Sequence, residues 1–140
     1  RQDLSEALSW CDKYLEQIPN EPSVLFDKAR LLAAQGKLSE ALKVVTSAIE
    51  REPRVEYRAF KGLLHKDLGE FREALMELES IYPNPQGTSG VIDLAMAEIY
   101  LGSGNISRAR TFLDAASAKP DADPERVAAL RARLSGDSAS

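Results

Sequence analysis

Leu4-Ser5-Glu6-Ala7-Leu8 and Leu38-Ser39-Glu40-Ala41-Leu42 are the same five residues, thirty-four positions apart. Phe71-Arg72-Glu73-Ala74-Leu75 follows thirty-three further on, and Ile106-Ser107-Arg108-Ala109-Arg110 thirty-five after that. Four copies at nearly one period mark one supersecondary unit used repeatedly. Other features keep the same phase. Gly36, Gly69 and Gly104 each stand five residues before the repeated Ala, where a positive φ ends one helix and lets the next begin at once. Pro19 and Pro53 lie twelve residues after their Ala, with Pro83 and Pro120 near that place. Proline there stops the second helix. Between these marks apolar residues recur at helical spacing, as in Leu38, Ala41, Leu42, Val45, Ala48 and Ile49. The unit is helix–turn–helix.

On these residues the chain resembles the tetratricopeptide repeat family over about residues 3–120. That family has a small residue midway along the first helix, where Ala29, Gly62 and Ala97 stand. It has Ala early in the second helix, matched by Ala41, Ala74 and Ala109, and a small or apolar residue near its end, matched by Ala48, Ile81 and Ala116. The bulky aromatic usual early in the first helix is Leu25 in one unit, and Arg58 and Asp93 in the others. Tyr57 and Ile92, one residue earlier, are the candidates to take over that packing, so two registers are open for those units. The resemblance implies an all-α fold: a right-handed α-solenoid of antiparallel helix pairs, a superhelix with a C-terminal capping helix.

Residues 1–19 match only the second helix of a repeat, so the chain opens in mid-unit. Complete units are expected over 20–53, 54–87 and 88–121, with helices near 21–35, 38–51, 55–68, 70–82, 89–102 and 105–118. Asn20 is the expected N-cap of the first of these, with Pro22 in its first turn. Residues 83–90, rich in Pro, Asn and Gly, read as a surface loop. Asp123 and Pro124 open a capping helix within 122–135, with Val127, Leu130 and Leu134 as its apolar stripe. Residues 136–140 read as a flexible tail.

At 140 residues, 44% hydrophobic and 29% charged, the chain has the composition of one globular domain. A net charge of −4 gives no electrostatic reason to expect nucleic acid. The local run Arg51, Arg54, Arg58, Lys61 and Lys66 reads as a solvated helix face. No apolar run approaches the ~20 residues of a membrane span, so no membrane insertion is expected. Arg1 stands where a Met would, so processing or excision from something longer is expected. Both the cytoplasm and a bacterial periplasm are compatible with a single cysteine.

No catalytic constellation emerges. His65 is the only histidine and lies inside a first helix; Cys11 falls on the packed stripe of the opening helix with Ala7 and Tyr14. The glycines do not form a phosphate loop, because Gly87 and Gly90 lack the Lys-Ser/Thr ending. Neither an enzyme nor a cofactor or metal is expected.

Binding is expected instead. Stacked helix pairs put their first helices on a concave surface, and by resemblance the groove residues are Phe26, Asp27, Arg30 and Ala33; Ala59, Leu63 and Lys66; and Val91, Leu94, Glu98 and Leu101. Apolar anchors inside a polar rim suit a peptide or a partner helix. The Lys, Asn and Arg set with which some similar proteins hold a chaperone's terminal carboxylate is absent, its places holding Phe26, Arg30, Phe60, Glu56 and Ala59. Protein or peptide partners are therefore the first expectation. The alternative is a scaffold segment that stacks end to end, self-associating through residues 3–18, where Leu8, Trp10, Cys11 and Leu15 would leave an apolar edge.

Overall fold

The computed structural model describes residues 2–85 and 89–139, and within these every regular element is an α-helix. They group into two compact units, Arg1–Ile81 and Tyr82–Ser140. The first holds α1 (Gln2–Gln17), α2 (Pro22–Ala34), α3 (Leu38–Arg51), α4 (Val55–Asp67) and α5 (Phe71–Leu78). The second holds α6 (Gly90–Gly102), α7 (Ile106–Ser117) and α8 (Pro124–Ala139). Of the loop expected at 83–90, residues 86–88 lie outside the described residues, as do Arg1 and Ser140.

The three glycines of the repeat do what their spacing implies. Gly36, Gly69 and Gly104 have φ of +83°, +79° and +89°. At each, the residue after the glycine donates its N–H five residues back: Lys37 to Leu32 at 2.9 Å, Glu70 to His65 at 2.8 Å and Asn105 to Tyr100 at 2.8 Å. This satisfies carbonyls that the ending helix would leave unpaired and turns the chain within three residues.

Within each pair the helices cross on small side chains. Ala29, Ala41, Ala48, Ala74, Ala97, Ala109 and Ala116 are fully buried. Gly62 makes a crossing too close for any side chain: a Cβ there would stand 2.4 Å from Leu78 Cγ. Around the first crossing Leu25, Leu32, Val45, Tyr57 and Leu64 form one core, with Phe26, Val44 and Phe60 packed against it. In the second unit Tyr100 stacks on Phe112 at 5.6 Å, and Leu130 and Leu134 bury the inner face of α8.

Several expectations need correction. Asn20 is not an N-cap; it sits at φ +65°, and Glu21, extended before Pro22, precedes the helix without a side-chain cap. Helix α5 ends at Leu78 rather than near 82, because Pro83 excludes Tyr82 from helical geometry and the chain leaves through a turn in which Ile81 N–H donates to Leu78 O at 3.1 Å. Helix α8 runs through the expected tail to Ala139. Gly136 is its poorest helix former, at about 1 kcal/mol against Ala, and residues 125–139 contain no proline. At the aromatic place Tyr57 does substitute for Arg58, which instead pairs with Glu77 at 3.5 Å. Ile92 does not substitute for Asp93: it stays half-buried, while Asp93 is fully buried and ion-paired with Lys119.

Candidate protein-interaction surface

In the first unit, α2 and α4 lie side by side through an aromatic contact. Phe26 meets Tyr57 at 4.7 Å and Phe60 edge-on at 5.5 Å between ring centroids. The Arg30 guanidinium lies over the Phe26 ring at 5.7 Å, and that of Arg54 over Tyr57 at 5.8 Å. Burial pushes the Tyr57 hydroxyl pKa up, and the nearby Arg54 charge partly offsets this.

Of the residues expected to line a groove, Asp27 and Arg30 are exposed on α2, and Phe26 and Ala33 are half-buried. On α4, Leu63 and Lys66 are half-buried, and Lys66 Nζ lies 3.4 Å from Asp67. In the second unit Val91 is exposed, and Glu98 is half-buried and paired with Arg126 of the capping helix. Three others are core residues. Ala59 holds in α4 the place of Phe26 in α2, and with only a methyl group it lies below the surface. Leu94 and Leu101 are buried because α6 is apolar on nearly every side and touches both α7 and α8.

The residues treated as structural behave so. The His65 Nδ1 lies 2.8 Å from Glu70 Oε1, tying the end of α4 to the start of α5. Cys11 is buried, and burial first, then the Asp27 and Asp12 carboxylates, push its thiol pKa up against the smaller opposing pull of Lys28. A thiol so placed stays protonated at neutral pH and is a poor nucleophile. Among the described residues no group of three or more His, Cys, Asp and Glu could hold a metal ion, and no described helix is long and apolar enough to cross a membrane.

The apolar edge expected on α1 forms half of a groove that α2 completes. Between α1 and α2 runs a groove of about 550 Å³, lined by Ala7, Trp10, Cys11, Asp27, Arg30, Leu31 and Ala34. Trp10 is 59% exposed and leans on Tyr14 at 5.5 Å, whereas Leu8 and Leu15 are half-buried and Cys11 is buried. The apolar edge at the N-terminal helix is thus chiefly Trp10.

Comparison with known families agrees with this geometry. A tetratricopeptide repeat model matches residues 66–134. A tetratricopeptide-like model described as anaphase-promoting complex, cyclosome, subunit 3 matches residues 1–81. The chain belongs to the tetratricopeptide repeat family. Among solved structures, MamA 41-end from Desulfovibrio magneticus RS-1 superposes with a TM-score of 0.79 at 16% identity, over 93% of this chain and 75% of that one. At that identity the likeness speaks for the shared helical-repeat fold alone. No curated protein matches the chain. Tetratricopeptide repeats are interaction and scaffold modules.

Proposed function

We propose that this tetratricopeptide chain is a non-catalytic protein-interaction module that takes a peptide or a partner helix across α2 and α4. The observation that supports it is the Phe26–Phe60 contact capped by Arg30. It sets an apolar patch beside an exposed cation and the Asp27 carboxylate, the mixture found at peptide-binding surfaces.

Because Phe26 packs against Tyr57 and Phe60, its truncation to Ala lowers stability as well as affinity and is a poor test alone. Arg30→Glu is cleaner, since the side chain is exposed. Captured partners are compared on immobilised native chain, Arg30→Glu and the exposed control Lys43→Ala on α3. Arg30→Glu is expected to weaken capture, with the loss shrinking as salt is added. Full capture by Arg30→Glu together with loss in Lys43→Ala would overturn the reading.

A second reading, a scaffold that self-associates through residues 3–18, is favoured by the exposure of Trp10. Sedimentation of the native chain and Trp10→Ala decides it: a concentration-dependent dimer lost in Trp10→Ala supports the scaffold, and a monomer throughout removes it.

A further inference from the structure

A groove between α3 and α4 lies inside the first unit, with helices of that unit both before and after it. It has about 400 Å³ and is lined by Leu42, Lys43 and Thr46 of α3 and by Lys61 and His65 of α4. One repeat earlier the same places hold Leu8, Ser9 and Asp12 of α1, and Lys28 and Leu32 of α2. There Asp12 neutralises Lys28 at 2.8 Å. In the later repeat Thr46 takes the place of Asp12, and its hydroxyl donates to Leu42 O at 2.7 Å. A further lysine, Lys43, replaces Ser9. The lining thus gains an ammonium group and loses its carboxylate.

The carboxylates of neighbouring turns do not make up the difference. Glu77 of α5 stands between Arg58 at 3.5 Å and Lys61 at 3.6 Å, so two cations share one anion. Glu70 is engaged with His65 Nδ1 at 2.8 Å. Glu40, Glu50 and Glu73 are exposed and stand outside the lining. Among the described residues Lys43 makes no ion pair. The groove therefore presents a positive surface beside the half-buried side chain of Leu42.

We propose that this groove binds an acidic segment of a partner protein, one carboxylate of which takes between Lys43 and Lys61 the part that Asp12 plays beside Lys28. A space of about 400 Å³ is far more than one phosphate or carboxylate group fills, so the ligand brings more than its charge. Leu42 offers an apolar contact to the residue next to the acid, and the two ammonium groups supply charge-assisted hydrogen bonds. Nucleic acid fits less well, because the surplus of positive charge is confined to a few side chains on a chain of net charge −4.

The site adds a second surface to the interaction-module reading on which it rests, and it shares no residue with the α2–α4 face. The isotope-labelled full chain is titrated at low salt with a blocked Glu-Leu-Glu peptide, a blocked Gln-Leu-Gln peptide and inorganic phosphate, and the backbone amide signals are followed. The acidic peptide is expected to shift the amides of Leu42, Lys43, Thr46, Lys61 and His65 at millimolar concentration, and more weakly as salt is added. The Gln peptide should leave them in place. Thr46→Asp copies the earlier repeat's carboxylate into this groove and should weaken the acidic peptide about five-fold, a loss the size of one surface ion pair. Thr46→Asn, the shape of that aspartate without its charge, should bind as the native chain does. If Thr46→Asp does not fold, Lys43→Glu should weaken the acidic peptide instead. The proposal is overturned by unmoved amides at millimolar acidic peptide, by equal binding of the Gln peptide, or by affinity indifferent to Thr46→Asp and Lys43→Glu. It is equally overturned if phosphate moves these amides and the acidic peptide does not, which marks a site for a small anion. Peptide binding failing while Arg30→Glu still weakens partner capture removes this groove and leaves the module reading in place. Full capture by Arg30→Glu, with peptide binding intact here, removes the α2–α4 face and leaves this groove.

Discussion

The two units close their helix pairs by different chemistry. The first relies mostly on carbon: Leu25, Leu32, Val45, Tyr57 and Leu64 meet around the alanines, and its ion pairs are exposed or half-buried. The second has the same alanine crossing but seals it with charge. Asp93 is fully buried against Lys119, whose ammonium also donates to Pro85 O at 3.1 Å. Asp121 accepts the Gly90 N–H at 3.0 Å, placing an anion at the start of α6. The Arg108 guanidinium covers Tyr100 and Phe112 at 5.2 Å each. The repeat therefore dictates where helices cross, while the neighbourhood of the crossing is free to be apolar or ionic.

The shared part of the comparison carries the largest expected effect. Ala41→Glu in the first unit and Ala109→Glu in the second should each abolish cooperative folding. Each puts volume and charge at a fully buried crossing, where overpacking alone costs about 1–3 kcal/mol and an unpaired charge adds to it. Lys43→Glu, exposed on α3, should leave the melt within about 0.5 kcal/mol. Thermal or urea unfolding of the three checks this; equal melts would mean the crossings are not where the units gain their stability.

The difference between the units predicts the next effect. Lys119→Met removes the ammonium paired with the buried Asp93 carboxylate and should cost about 3 kcal/mol. Replacing both partners, Asp93→Leu with Lys119→Met, should recover most of that loss, because a well-packed apolar pair is often as stable as a buried ionic one. A double variant as unstable as the single one would show that the charge, and not the packing, holds the second unit.

Smaller still is the effect of the turns. Gly36→Ala and Gly104→Ala put a Cβ on backbone at φ +83° and +89°. No neighbour lies within 4 Å of that Cβ at either place, so the cost is conformational, about 1–2 kcal/mol. It should be equal in the two units if the joints are built alike, as their matching hydrogen bonds indicate.

The crossings and joints were legible because each is marked by residue types with a local cause: Ala where helices touch, Gly where φ turns positive. The aromatic place was legible only in part. Tyr57 announces itself by its size, one residue from the usual position. Asp93 was legible only as a departure from the aromatic place, and its burial is explained once Lys119, twenty-six residues away, is brought to it. The groove assignments failed where the helix has no polar face to orient it: Leu94 and Leu101 lie on α6, apolar nearly all round. Gly136 and three small residues looked like a tail because no packing stripe continues past Leu134, yet nothing there breaks a helix already under way. The groove at Trp10 was half-seen. Its apolar residues were counted on α1, but Asp27 and Leu31 enter only when α2 is placed beside it.

The smallest effect sharpens the comparison most, since it uses the same substitution as the largest ionic one. Lys28 pairs with Asp12 at 2.8 Å across α1 and α2, with the Asp12 side chain 55% exposed. Water already screens that pair, so Lys28→Met should lower stability by less than about 1 kcal/mol, against several for Lys119→Met. The pair also acts through its charges on the Cys11 thiol, whose pKa burial raises most, Asp12 raises further and Lys28 holds down. Removing the lysine should push the thiol further up, so its alkylation in the folded chain slows at mildly alkaline pH. The sign follows from the fold favouring the protonated thiol. The stability this contributes is full below the unfolded thiol's pKa and is lost as pH rises through the folded one. Alkylation rates and melts of native chain and Lys28→Met across that range measure both. Faster alkylation in Lys28→Met would mean that local opening, and not thiol ionisation, governs access to Cys11, and that the first unit depends on its surface pair more than its carbon core implies.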